Sequence, residues 1–204
     1  MKYQYWLSNI PGVGNRAITR LLGQVGSARE VYEMNREQLE NLYGLSEGQI
    51  EAICERKKSW DLEERYAALM ESGIDFISRE MERYPEPLKN IADPPYSIYV
   101  KGRLPDFSKR RAAIVGARRC SEYGSAMARR IGQRLSENGV EIISGLASGI
   151  DSCGHEGALT AGGRTYAVLG CGVNVCYPWS NRKLYEQILE TGGIISEYPP
   201  QTRP

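Results

Sequence analysis

Arginine, glycine and small hydroxyl residues recur in this sequence where a chain could hold phosphate. Three segments carry them: V-G-A-R-R-C-S-E-Y-G at 115–124, S-G-L-A-S-G-I-D at 144–151 and L-G-C-G-V-N-V-C-Y-P at 169–178. In the second, Ser144, Gly145, Ala147, Ser148 and Gly149 are small enough for a ligand to approach the backbone closely. The amides opening the next helix, with the helix dipole behind them, favour an anion there. Asp151 is expected as the N-cap of that helix, a role worth about 1 kcal/mol. In the first segment, Gly116 and Ser121 frame a turn that bears Arg118 and Arg119. A planar guanidinium fork can bond two phosphate oxygens at once. The third offers Gly172, Asn174 and Tyr177, and Asn181 is expected to cap the helix after it. A single loop of this kind is also an ordinary strand-to-helix turn. Three in register would make an extended binding edge.

The same residues argue against catalysis. His155 is the only histidine, and a general base needs a partner and a substrate in reach; a buried, hydrogen-bonded histidine is the expectation. Asp151, Glu156 and Glu197 form no spaced carboxylate pair. A serine-hydrolase elbow needs Gly-x-Ser-x-Gly, and Ala147-Ser148-Gly149 lacks the first glycine. A zinc set of Cys153, His155, Cys171 and Cys176 matches no common ligand spacing, and the five cysteines contain no Cys-x-x-Cys pair. No metal or cofactor is expected, nor an enzyme.

Elements to position these loops are legible on either side of them. Short β-branched runs at 112–115, 140–144, 165–169 and 194–196 alternate with helical segments opening near Ser121, near Asp151 and at Asn181. This alternation predicts a Rossmann-like parallel sheet with right-handed crossovers and helices on both faces. In the helix of 123–139, Met127, Ile131 and Leu135 are expected on the buried side. Four parallel strands ending near Pro204 would leave an uncovered edge, so the sheet is expected to be incomplete. Residues 61–106 read as a connecting extension: a helix closing at Gly73, a strand at 74–78, a proline-punctuated non-helical stretch at 84–96 and a strand at 97–102. Residues 1–60 read as a small all-α domain. There I-P-G-V-G-N-R-A-I-T-R-L-L resembles a helix-hairpin-helix (SAM-like) element, whose hairpin amides, helped by Arg16 and Arg20, could meet phosphate. G-V-G-N-R-A fits a dinucleotide fingerprint by letters alone, since no strand precedes it.

Composition sets the limits. The 204 residues are 41% hydrophobic and 25% charged, with a formal net charge of +1. A strongly basic binder is excluded, so any nucleic-acid site must be a local patch. No stretch reads as a membrane span or signal peptide, and a cytoplasmic protein is expected.

The ordered array I-V-G-A-R-R-C-S-E-Y-G, S-G-L-A-S-G-I-D-S-C-G-H-E-G-A-L, A-V-L-G-C-G-V-N-V-C-Y-P-W-S-N and G-G-I-I-S-E-Y-P-P resembles the DNA-processing protein A (DprA/Smf) family. The resemblance covers nearly the whole chain, which looks like the front two-thirds of such a protein, ending before a Phe-Pro-x-Arg-Asn-Arg segment. It implies single-stranded DNA as ligand, with Arg118 on phosphate, and help in loading the RecA recombinase during natural transformation. Single-strand-binding protein is then a further partner, and a homodimer is expected of the full-length protein. Tyr123, Tyr177 and Trp179 could stack on bases, although Tyr123 reads better as a core residue. The alternatives are a nucleotide-binding Rossmann enzyme of the phosphoribohydrolase type, whose Pro-Gly-Gly-x-Gly-Thr loop is absent, and a protein-interaction scaffold.

Overall fold

The computed structural model describes residues 1–204 and divides into two compact units, Met1–Ser97 and Ile98–Pro204. Residues 61–97 belong to the unit of the helical segment and 98–106 to that of the sheet, so the boundary between the units falls within the connecting extension expected over 61–106 to pack on the core.

The first unit contains α1 (Lys2–Ser8), α2 (Asn15–Val25), α3 (Ala28–Glu33), α4 (Arg36–Glu40), α5 (Glu47–Ser59) and α6 (Leu62–Glu71), then β1 (Ile74–Ser78) and α7 (Glu86–Lys89). Reciprocal capping boxes start three of these helices, at Ser27/Glu30, Asn35/Gln38 and Ser46/Gln49. Trp6, Leu7, Ile18, Leu21, Val31, Leu39 and Ile53 fill the core. One turn of helix, α7, interrupts the stretch expected to be non-helical. Pro87 lies in its first turn, where no amide donor is needed. The hairpin between α1 and α2 does form, but its basic side chains are committed within the unit. Arg16 pairs with Asp93 at 3.2 Å, and Arg20 Nη1 donates to Gly44 O at 2.6 Å. Gln49 Nε2 donates to Gly12 O at 3.1 Å, which ties the hairpin to α5.

The second unit is Rossmann-like. Its strands are β2 (Ser97–Gly102), β3 (Arg111–Ala113), β4 (Glu141–Ser144), β5 (Thr165–Val168) and β6 (Gly193–Ser196). Between them run α8 (Glu122–Glu137), α9 (Ile150–Thr160) and α10 (Arg182–Thr191), the last preceded by a 3-10 turn at Trp179–Asn181. Strands are ordered β2-β6-β5-β4-β3, with β3 to β6 parallel and β2 antiparallel to β6. The edge of β6 is thus covered by the S-I-Y-V-K-G segment.

Two expectations need correcting. The order of the parallel strands runs steadily from β3 to β6, so each right-handed crossover steps the same way and lays its helix on the same face. Helices on both faces would require a reversal of direction that these strands lack. The register sorts the side chains accordingly. Ile142, Thr165 and Ile194 point to the helix side and are buried; Ile143 and Ile195 are half-buried on the other side and Val168 is exposed there. The second correction concerns α8. Its buried stripe is Ala128, Gly132 and Ser136, while Ile131 is exposed. A Cβ at Gly132 would come 2.5 Å from Gly154 O, and one at Gly157 would come 2.2 Å from Arg129 O. Smallness on both α8 and α9 lets the two backbones touch, and no larger residue fits that seam.

Candidate phosphate ledge at the strand ends

All four parallel strands end at one rim of the sheet, and their exit loops converge on a cavity of about 440 Å³. Arg118 from the first loop lines it, with Gly145, Ala147 and Ser148 from the second and Leu169, Gly170, Cys171, Tyr177 and Pro178 from the third, together with Pro204. Arg118 is exposed and forms no ion pair or hydrogen bond. Its guanidinium is free to take an anion. The rest of the lining is small or apolar apart from one aromatic ring, Tyr177. Five of the residues expected to bind are therefore brought together: Arg118, Gly145, Ala147, Ser148 and Tyr177.

Most of the remainder build the site from behind. Asp151 does not cap α9. Gly149 does, at φ +84, because any Cβ there would lie 2.3 Å from Ala117 O. With the helix starting earlier, Asp151 falls inside its first turn and is 6% exposed. One carboxylate oxygen accepts from Gly116 N at 3.2 Å and the other from Gly145 N at 3.1 Å. The amides of Gly116 and Gly145 are therefore spent on Asp151 rather than offered to a ligand, and the first two loops are clamped to each other. Ser144 Oγ donates to Ile114 O, joining the same two loops lower down.

Asn181 does not cap with its side chain either. Its Nδ2 donates to Leu146 O and to Ser152 Oγ, both at 2.8 Å. Leu146 has φ +58, a left-handed conformation costing a branched residue about 1–2 kcal/mol. Complete burial of its side chain and the Asn181 bond hold it there. Ser121 caps α8 by accepting from Gly124 N at 3.1 Å. Gly172 N donates to Thr202 O at 2.9 Å, and Asn174 Oδ1 accepts from Gln201 N at 2.7 Å, so both hold the 199–202 segment. Arg119 is exposed and unpaired on the first loop, outside the cavity lining. Leu169, Gly170, Cys171, Pro178 and Pro204 line the cavity without having been singled out, since apolar wall residues carry no sequence signal of their own.

His155 is fully buried beneath the sheet face. Its Nδ1–H donates to Thr165 Oγ1 at 2.6 Å, and the Thr165 hydroxyl donates in turn to Ile142 O at 2.9 Å. Burial alone lowers the His155 pKa from 6.5 to about 4. Burial raises the Cys153, Cys171 and Cys176 thiols above their ordinary value. No three His, Cys, Asp or Glu side chains are grouped to hold a metal ion. Tyr123, expected in the core, projects from α8 into solvent. No helix is long and apolar enough to cross a membrane.

Fold and site together define a Rossmann-like α/β protein whose parallel strands gather their exit loops at one rim. The family model of DNA recombination-mediator protein A matches residues 75–204, and the chain belongs to that family. Protein Smf of Synechocystis sp. is 34% identical over 206 residues, covering 98% of this chain and 52% of the relative. This chain thus spans about half the length of that relative. Among solved structures, DNA processing protein A of Streptococcus pneumoniae superimposes with a TM-score of 0.80 at 30% identity, over 100% of this chain and 70% of that one. DNA processing protein A of Helicobacter pylori, solved to describe its single-stranded DNA binding mode, matches with a TM-score of 0.56 at 29% identity, over 64% of this chain and 59% of that one.

Proposed function

We propose that this chain binds single-stranded DNA along the strand-end ledge and performs no chemistry on it. The observation that carries the reading is the free Arg118 guanidinium lining one cavity together with the small-residue loop of Ala147 and Ser148 and the ring of Tyr177. A phosphate suits the guanidinium and a nucleotide's flat apolar surface the Tyr177 ring. The reading is supported by the H. pylori relative, whose structure concerns single-stranded DNA. For the whole protein the reading extends to a cytoplasmic homodimer that passes strands to the RecA recombinase past single-strand-binding protein. The family's description as a recombination mediator supports that extension.

The test is a titration of the chain with labelled oligo-dT, the matching duplex and mononucleotides across a salt series. Oligo-dT is expected to bind in preference to duplex, with affinity falling as salt rises. Arg118→Ala is expected to weaken it about tenfold or more, the loss of one charge-assisted phosphate contact. Equal affinity for duplex, turnover of a mononucleotide, or an unaltered Arg118→Ala variant would overturn the reading.

A further inference from the structure

Next to the cavity, the 3-10 turn Trp179–Asn181 follows directly on the wall residues Tyr177 and Pro178. Trp179 is 66% exposed, an unusual position for the largest apolar side chain. The chain's other two tryptophans, Trp6 and Trp60, have buried indole nitrogens. Exposure alone would mean little, but this ring is held. The Arg182 guanidinium lies 4.6 Å from the ring centroid and closes one face by cation–π contact. Arg182 is in turn fixed by Glu186, its Nε donating to Oε1 at 2.9 Å. At the other end of the turn, Asn181 anchors the backbone to Leu146 O and Ser152 Oγ in the ledge. The outcome is a flat π surface with one face backed and one face open, attached to the loop that builds the cavity. Tyr123, Tyr177 and Tyr198, also exposed in this unit, have no ring or cation contact of this kind.

We infer that Trp179 is a stacking platform for a nucleobase of the strand whose phosphates lie on the ledge. This rests on the single-stranded DNA reading and adds a base contact to it. A π surface accepts any base face, so the contact is sequence-tolerant and needs an unstacked base, which single strands supply and duplexes do not. The backing by Arg182 restricts the ring before the ligand arrives, so little rotamer freedom is lost on binding.

The experiment compares oligo-dT with an abasic deoxyribose-phosphate oligomer of the same length, using the whole chain and its Trp179→Ala, Trp179→Phe and Arg118→Ala variants. Trp179→Ala is expected to weaken oligo-dT binding about 5- to 100-fold and leave the abasic oligomer unchanged, with Trp179→Phe regaining part of the loss. Arg118→Ala is expected to weaken both. Tryptophan emission should be quenched by oligo-dT in the unaltered chain and not in Trp179→Phe. An equal loss on both oligomers, or no loss on either, with Trp179→Ala overturns the stacking role while leaving the strand reading intact. Failure of the unaltered chain to bind either oligomer overturns both.

Discussion

The carboxylate of Asp151 sets the spacing of the first two loops, and replacing it tests that claim sharply. Asp151→Asn keeps shape and volume but exchanges one acceptor oxygen for an amide that donates. Of the two backbone donors now satisfied at 3.2 and 3.1 Å, one would then face a donor. A bond to a charged acceptor contributes about 1.5–3 kcal/mol, and a buried amide left unpaired costs about 1–3 kcal/mol. At a group only 6% exposed, the local loss should be about 3 kcal/mol. Electrostatics pulls the other way: removing a negative charge near the ledge should favour a bound phosphate. In water-like surroundings, however, unit charges 4 Å apart interact by about 1 kcal/mol, and less beyond that, so the positional loss should win. Amide hydrogen exchange should therefore accelerate at Gly116 or Gly145, and oligo-dT affinity should fall. Unchanged exchange at both amides, or tighter oligo-dT binding, would refute the clamp.

Other expectations follow from buried groups and close contacts. His155 titrates near 4 when folded against 6.5 when free, so the unfolded chain binds the extra proton between those values. Its contribution, about 3 kcal/mol at about 1.4 kcal/mol per unit, is complete above pH 6.5 and disappears as pH falls to about 4. His155→Gln should flatten that part of the stability–pH curve, and an unchanged slope by denaturant titration would contradict the burial argument. Gly157→Ala forces a Cβ to within 2.2 Å of Arg129 O and should lower stability by about 1–3 kcal/mol, as read by thermal melting. Gly23→Ala, inside α2 with nothing within 4 Å, should instead raise stability by about 0.5–1 kcal/mol.

Much of the second unit was legible because β-branched runs alternating with capped helices leave a strong local signal. Ser121 caps α8 as its position suggests, and β1, β2 and the four parallel strands fall where their patterns put them. What stayed hidden depends on partners distant in sequence. The strand order, and with it the one-sided helix layer, is fixed by which strands pair, and no local pattern encodes that. The α8 seam was misassigned because hydrophobic periodicity favours large side chains such as Ile131. The actual contact rewards small ones, since Gly154 and Gly157 on α9 must come within touching distance. At the site, the exit loops bring Arg118, Gly145, Ala147, Ser148 and Tyr177 to one cavity. The inner supports of the loops have no signal of their own, because Gly116 and Asn181 have the same residue types whether they face a phosphate or a buried partner. Only the positive φ of Gly149, which starts α9 early, turns Asp151 from a cap into a clamp.

The ledge itself is most directly tested by following backbone amide resonances while the chain is titrated with oligo-dT. The largest shifts should fall at 117–119, 147–148 and 170–171, the stretches of the three exit loops at or beside the cavity lining. Shifts centred on the 12–16 hairpin of the helical unit, with the three loops silent, would contradict a binding edge at the ends of the parallel strands.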